Sequence, residues 1–157
     1  MSIPPATHTS LRFWIVLSRA HRAVTEILRR DMEARGLGMK EFAVLEVLFH
    51  KGPLSIGEIG SRVLLTSGSM TYVVDQLAKQ GLVERREHPD DRRIVRVHLT
   101  KEGRRLIEEV FPAHAALIDR VMSELSEEER QFGADLLKRL GLSASARKMD
   151  FASTEET

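Results

Sequence analysis

The sequence predicts a mainly α-helical fold with one small β-hairpin. Apolar residues recur at helical spacing over most of the 157 residues, which is typical of amphipathic helices. Only two short runs, residues 83–88 and 94–99, have the pattern expected of strands. Because a short helix and a second helix directly precede this hairpin, we predict a winged helix-turn-helix at about residues 39–100. We predict that the remaining helices, at about residues 11–35 and 101–142, form a dimerisation lobe.

Two helices are predicted before the helix-turn-helix. Residues 1–10 are expected to be a flexible N-terminus, because Pro4 and Pro5 disfavour helix. The first helix ends at Gly36, and the second, from about residue 39, ends at Gly52. The apolar stripe of the first helix needs a partner. The same helix of a second subunit is one candidate, and packing within one subunit is the other.

The third and fourth helices form the predicted helix-turn-helix. Ser55 and Glu58 have the spacing of a capping box. The fourth helix is expected to begin at a Thr66 cap and to end at Gly81 in a left-handed conformation. Its buried stripe consists of Met70, Val73, Val74 and Leu77.

The opposite face of the fourth helix carries small hydrogen-bonding side chains. Such side chains suit a helix whose N-terminus enters a DNA major groove, although taken alone an ordinary amphipathic helix is the favoured interpretation. The hairpin that follows favours DNA binding, because arginines at its tip can enter a minor groove; a solvated turn with incidental ion pairs is the alternative. The candidate DNA contacts are Ser67, Ser69, Thr71, Tyr72, Arg85, Asp91, Arg92 and Arg93.

Two helices are predicted after the hairpin. Thr100 caps the fifth, which runs to about residue 125 and is expected to be interrupted or bent near Phe111 and Pro112. A capping box at residues 126–129 opens the last helix, which is expected to end near Gly141. Residues 143–157 lack periodicity and are predicted to be a flexible tail.

Charge is unevenly distributed, although 24 Lys+Arg against 23 Asp+Glu give a net charge of only +1. Residues 79–105 hold nine basic and five acidic residues, a local charge of +4 that suits phosphate binding. Residues 119–135 hold six acidic and two basic residues, a local charge of −4. We therefore expect the wing region to face double-stranded DNA and the last helices to point away from it.

Several function classes are disfavoured. The chain has no cysteine, which excludes disulfides and thiolate metal sites. No metal-ligand spacing, nucleophile elbow or cofactor motif is present, so no metal, cofactor or catalytic residue is predicted. Apolar runs are short and the N-terminus does not resemble a signal peptide, from which we expect a cytoplasmic protein without membrane contact. A winged-helix protein-interaction module that binds no DNA remains the alternative.

A small-molecule site is a further possibility. Phe42 and Glu46 lie at i and i+4 on the second helix, Trp14 lies early in the first, and His114 follows the predicted bend. Aromatic side chains with one acid and one imidazole would suit a flat, hydroxylated ring. From spacing alone, ordinary core and surface roles are favoured. An aromatic-modifying enzyme using Glu46 and His114 is the least favoured interpretation.

The runs LLTSGSMTYVVDQL and GLVERREHPDDRRIVRVHLTKEG strongly resemble the MarR family of dimeric winged-helix transcription regulators, over about residues 11–142. The resemblance implies a homodimer on a pseudo-palindromic operator, with Arg93 in the minor groove and Asp91 as its structural partner. His88 departs from the acidic residue that many members have before the proline.

The chain is also similar to the branch of this family that contains methylhydroquinone-responsive repressors. That likeness implies a repressor that releases DNA on binding a small phenolic or quinone-like compound. The matching ligand positions are Trp14, Phe42, Glu46 and His114, with Trp14 in place of a phenylalanine.

Overall fold

A computed structural model describes residues 5–63, 70–88 and 91–154. The predicted class is confirmed: the described chain is mainly helical with one antiparallel two-stranded hairpin. Residues 1–118 and 119–157 form two compact units. The elements in chain order are α1 (Pro5–Ala34), α2 (Met39–Lys51), α3 (Ile56–Arg62), α4 (Met70–Lys79), β1 (Val83–His88), β2 (Asp91–Leu99), α5 (Lys101–Val121) and α6 (Glu127–Thr154).

Several predicted boundaries are wrong. Helix α1 begins at Pro5, because a proline in the first turn loses no helical hydrogen bond and its fixed φ suits a helix. Helix α5 continues through Pro112 and ends at Val121. Helix α6 passes through Gly141 and runs to Thr154, since one glycine costs only about 1 kcal/mol in a helix. Strand β2 begins at Asp91, so the loop is shorter than predicted, and its remaining residues 89 and 90 lie outside the described residues.

The core of the first unit joins the helix-turn-helix to the wing. Val73, Val74 and Leu77 of α4 are buried, which confirms the predicted stripe. Val97 of β2 is also fully buried and forms a bridge with Leu54, whose carbonyl accepts from the Val97 N–H at 2.8 Å. Other members of the same core are Phe42, Leu45, Leu48, Ile59 and Ile107.

A short junction links the end of α4, the start of the wing and the start of α5. Gly81 has φ of 72°, the predicted left-handed conformation. The Thr100 hydroxyl donates to the Gly81 carbonyl at 2.7 Å and accepts from the Gly103 N–H at 3.0 Å, so the predicted cap is also confirmed. A Cβ atom added at Gly103 would lie only 1.9 Å from the carbonyl oxygen of Leu82. Only glycine therefore fits at position 103.

In the second unit, the predicted capping box begins α6. The Ser126 N–H donates to Glu129 Oε2 at 2.8 Å, and the Glu129 N–H donates to Ser126 Oγ at 3.2 Å. Phe132, Leu137 and Leu140 are exposed in the single chain, at 66%, 44% and 44%. These apolar side chains of α6 are therefore accessible in the single chain.

Gly103→Ala should lower the free energy of unfolding by about 1–3 kcal/mol, as expected when a methyl group is forced into a packed site. Gly133→Ala is the matched control, because an added Cβ there meets no atom within 4 Å and alanine favours helix over glycine. Urea unfolding of both variants measures the difference. Equal stabilities for the two variants would contradict the junction described above.

Candidate nucleic-acid interface and buried ligand site

Helices α3 and α4 contact each other in the first unit. The predicted capping box at the start of α3 is confirmed, with the Ser55 N–H donating to Glu58 Oε2 at 2.8 Å and the Glu58 N–H donating to Ser55 Oγ at 3.3 Å. Hydrogen bonds from the Ser55 backbone and side chain stabilise the ionised carboxylate and lower the pKa of Glu58. The segment between the two helices, residues 64–69, lies outside the described residues. The predicted contacts Ser67 and Ser69 and the predicted Thr66 cap fall in it.

The face of α4 opposite its buried stripe is accessible. Thr71 is exposed, and Tyr72 is 63% exposed. Asp75 and Gln76 continue this face and are half-buried. Two of the four helix contacts predicted from sequence therefore lie on a surface that a groove of DNA could reach.

An ion pair connects this helix to the wing. Arg85 Nη1 of β1 donates to Asp75 Oδ1 of α4 at 2.6 Å. Arg85 is a predicted DNA contact, and this contact stays a prediction; the structure places its guanidinium against Asp75 of α4. Sequence reasoning missed this pairing because ten residues and a turn separate the two side chains. The pair fixes the direction in which the wing leaves α4.

The wing carries further arginines. Arg86 pairs with Glu84 on β1, and across the hairpin Arg86 is in register with Arg96. Arg96 Nε is buried and has no hydrogen-bond partner among the described residues. Asp91, Arg92 and Arg93 lie in strand β2, but their side chains are outside the described part of the chain.

Phe42 and His114 form the centre of the predicted ligand site. Their ring centroids lie 4.4 Å apart at an interplanar angle of 52°. The two residues are only 2% and 5% exposed, respectively. His114 Nδ1 is buried and has no hydrogen-bond partner in the described structure. An unpaired buried nitrogen of this kind is costly unless a ligand or water satisfies it.

Charged groups surround this imidazole. Burial lowers the pKa of His114, while the carboxylates of Glu46 and Asp31 partly oppose that shift and Arg35 reinforces it. The structure therefore brings Phe42 and His114 into contact, and it places Glu46 near enough to act on the imidazole electrostatically. It adds Asp31 and Arg35 of α1, whose side chains pair at 3.0 Å. Their i, i+4 spacing signals an ion pair in the sequence, although nothing there connects them to His114.

Trp14 does not belong to this group within one chain. Seventeen residues of the continuous helix α1 separate it from Asp31, a distance of about 25 Å along the axis. Trp14 is 64% exposed and lies beside a groove with Leu17, Ser18 and His21. Within one chain Trp14 therefore lies far from His114, and its role in a ligand site stays a prediction.

Within residues 5–63, 70–88 and 91–154, no three acidic, histidine or cysteine side chains are placed to hold a metal ion. In the same part of the chain, no helix combines the length and apolar character needed to cross a membrane.

A short helix in contact with a second helix, followed by an antiparallel hairpin, defines a winged helix-turn-helix protein. The MarR family model matches residues 37–95. Over 138 residues the chain is 46% identical to the HTH-type transcriptional regulator MhqR of Bacillus subtilis (strain 168), covering 88% of this chain and 95% of that protein. The chain belongs to the MarR family of transcriptional regulators.

Solved structures with the same fold include two regulators that are associated with an aromatic compound. Bordetella bronchiseptica BpsR, whose DNA binding is regulated by 6-hydroxynicotinic acid, matches with 26% identity and a TM-score of 0.72, covering 80% of this chain and 90% of that chain. NadR in complex with 4-hydroxyphenylacetate matches with 26% identity and a TM-score of 0.68, covering 80% and 89%.

His114 should make the stability of the fold depend on pH. Above about pH 6.5 the imidazole is neutral in both the folded and the unfolded chain. Below that pH the unfolded chain takes up a proton that the buried imidazole resists, so the unfolding free energy should fall by up to about 1.4 kcal/mol per pH unit.

Urea unfolding of the parent and of His114→Phe between about pH 7.5 and pH 5.5 measures this effect. The variant should lose less stability over that range. Some dependence should remain in both proteins, because burial and nearby Arg86 also lower the pKa of His98. The same loss in parent and variant would contradict the burial of His114.

Proposed function

We propose that this chain is a homodimeric repressor that binds DNA through α4 and the wing and that a small phenolic or quinone-like compound releases it. The observation that carries the proposal is the Asp75–Arg85 ion pair, because it holds the exposed face of α4 and the arginine-rich wing as one surface. The relatives are named as transcriptional regulators, which favours this function over the aromatic-modifying enzyme.

The exposed face of α4 is the proposed major-groove surface. Thr71 and Tyr72 are accessible there, and Ser67 and Ser69 precede them in sequence. In the proposed complex, Arg93 enters the adjacent minor groove, where the narrow groove favours a guanidinium. Arg92 contacts phosphate, and Asp91 fixes the shape of the wing. The two half-sites would lie about one helical turn apart.

A second copy of the chain would cover apolar side chains that one copy leaves exposed. On α1 the exposed residues include Leu11, Phe13, Trp14 and Val16, and on α6 Phe132 and Leu142 are 66% and 65% exposed. Exposed apolar surface of this extent is characteristic of an interaction site. We therefore assign Trp14 to the dimer surface and not to the His114 site of its own chain.

The His114 site is the proposed effector site. Burial lowers the pKa of His114 and so favours the neutral imidazole, whose unprotonated ring nitrogen can accept a hydrogen bond from a phenolic hydroxyl. The Phe42 ring at 4.4 Å offers an aromatic contact. Glu46 provides a second acceptor for a compound with two hydroxyl groups. The ligands of BpsR and NadR are also hydroxylated aromatic rings.

Arg93→Ala should weaken binding to DNA from upstream of the chain's own gene by about 1–3 kcal/mol, because the minor-groove guanidinium is lost. Fluorescence anisotropy measures the affinity. Arg130→Ala, in the acidic stretch of residues 119–135, is the matched control and should bind like the parent. Unchanged affinity for Arg93→Ala would exclude the wing contact.

His114→Ala should bind the same DNA as the parent but should no longer release it when hydroquinone is added, because the hydrogen-bond acceptor is gone. His50→Ala removes an exposed imidazole from α2 and should release DNA normally. Thermal unfolding of each variant confirms that it is folded at the assay temperature. Release by His114→Ala at the same hydroquinone concentration as the parent would exclude His114 from the effector site.

A further inference from the structure

One face of the wing carries a pair of arginines that the proposed function leaves unassigned. In the antiparallel register, Arg86 of β1 lies directly opposite Arg96 of β2, and Glu84 lies opposite His98. Directly opposed residues, and residues two positions apart on a strand, point to the same side of a sheet. We call this side, with Glu84, Arg86, Arg96 and His98, the outer face of the wing.

The other face of the wing is turned toward α4 and the core. Arg85 pairs there with Asp75 of α4, and Val97, which lies opposite Arg85, is fully buried. Successive residues of a strand alternate between the two faces of a sheet. The outer face is therefore directed away from the side of the wing that contacts α4.

The two opposed arginines are unequally compensated. Like charges directly opposite each other destabilise a strand pair. Arg86 donates through Nη2 to Glu84 on the same strand. Arg96 forms no ion pair within the described residues: its Nη1 reaches only the Pro53 carbonyl, at 3.5 Å, and its Nε is buried without a hydrogen-bond partner. The positive charge of Arg96 is therefore the least neutralised charge of the outer face.

The two carboxylates nearest to Arg96 are already engaged. Glu84 accepts from Arg86. Glu58 accepts from the Ser55 N–H at 2.8 Å in the capping box of α3. Hydrogen bonds from Ser55 lower the pKa of Glu58, and the charge of Arg96 lowers it further. Glu58 therefore acts on Arg96 at a distance and leaves the guanidinium without a direct counter-ion in the described structure.

His98 couples this charge to protonation. It is half-buried and lies two positions after Arg96 on the same face. Burial lowers the pKa of His98, the charges of Arg86 and Arg96 lower it further, and Glu84 opposes these effects. An anion held between the arginines would offset their charge and so raise the pKa of His98. Anion binding and protonation of His98 would therefore favour each other, because such coupling is reciprocal.

We propose that Arg86 and Arg96 form an oxyanion site on the outer face of the wing, which holds a phosphate group between the two guanidinium groups. Each guanidinium presents paired N–H donors that match two phosphate oxygens. A tetrahedral phosphate has oxygens on several sides and can bridge two guanidinium groups from opposite strands. The phosphate belongs either to the DNA backbone or to a free anion, and both sources share this chemistry.

The first test is a titration of the full chain, labelled with ¹⁵N and without DNA, with sodium sulfate at constant ionic strength. Sulfate replaces phosphate because the second pKa of a phosphate group is about 6, whereas the charge of sulfate does not change near neutral pH. Sulfate should shift the amides of Arg86 and Arg96 saturably, and should raise the pKa of His98 measured from its ring signals. The ring signals of His50, which is exposed on α2, are the internal reference and should not respond.

Variants identify the two guanidinium contacts. Arg96→Gln and Arg86→Gln should each weaken sulfate about tenfold, as expected when a charge-assisted hydrogen bond is lost, and should reduce the effect of sulfate on His98. Arg96→Lys keeps the charge and should keep part of the affinity. Arg104→Gln on α5, where Arg104 pairs with Glu108 at 3.8 Å, is the matched control and should bind sulfate like the parent. Amide spectra show that each variant is folded.

A second measurement distinguishes the two sources of phosphate. If the site holds a phosphate of the DNA backbone, Arg96→Gln should weaken the upstream and the scrambled duplex equally and should reduce the logarithmic salt slope by about 1. If the site holds a free anion, Arg96→Gln should bind both duplexes like the parent while sulfate binding is still lost. This measurement rests on the proposed DNA-binding function, whereas the sulfate titration does not.

Three results would overturn the oxyanion site: no saturable response of the Arg86 and Arg96 amides to sulfate, no effect of sulfate on the pKa of His98, or equal sulfate affinity in Arg96→Gln and the parent. Failure of the parent to bind either duplex would contradict the proposed function alone, and the sulfate titration would still decide the site.

Discussion

The close approach of Gly103 to the Leu82 backbone holds together the junction between α4, the wing and α5. At this point the end of α4, the start of the wing and the first turn of α5 meet, held by the Thr100 hydroxyl between Gly81 and Gly103. Helix α5 then continues without interruption to His114, about 16 Å further along its axis. A rigid helix therefore connects the proposed effector site to the end of the recognition helix.

Electrostatics orient this structure more than they stabilise it. The Asp75–Arg85 pair is partly exposed, and such pairs typically contribute less than about 1 kcal/mol. Its importance lies in geometry, because it joins a side chain of the wing to a side chain of α4. On α1, hydrogen bonds from Arg29 and Arg30 lower the pKa of Glu26 to about 2, so this carboxylate stays ionised throughout the neutral range.

Local patterns predicted the helix-turn-helix well because their causes are local. The stripe of Val73 and Leu77, the two capping boxes and the left-handed Gly81 each depend on residues within one or two turns. The predicted start of α1 and the predicted end of α6 are wrong, because a proline in the first turn and a single glycine do not break a helix.

Long-range pairings were the least predictable part of the sites. Phe42 and Glu46 share a face of α2. The prediction that His114 lies near them depended on the family resemblance more than on residue spacing. Nothing in the spacing showed that Arg85 would turn toward Asp75, or that Asp31 would come near His114. Sequence spacing also did not show that Trp14 lies far from His114 within one chain. Trp14 and Asp31 belong to one continuous helix, α1, and only Asp31 lies near His114.

The most direct measurement of the central claim is the affinity of the purified chain for DNA from upstream of its own gene over a series of salt concentrations, beside a scrambled duplex of the same length. We expect tighter binding to the upstream DNA and a logarithmic salt slope of about −4 or steeper, since several phosphates would be neutralised. Equal affinity for both duplexes, or binding that does not respond to salt, would contradict a DNA-binding regulator and favour the protein-interaction module.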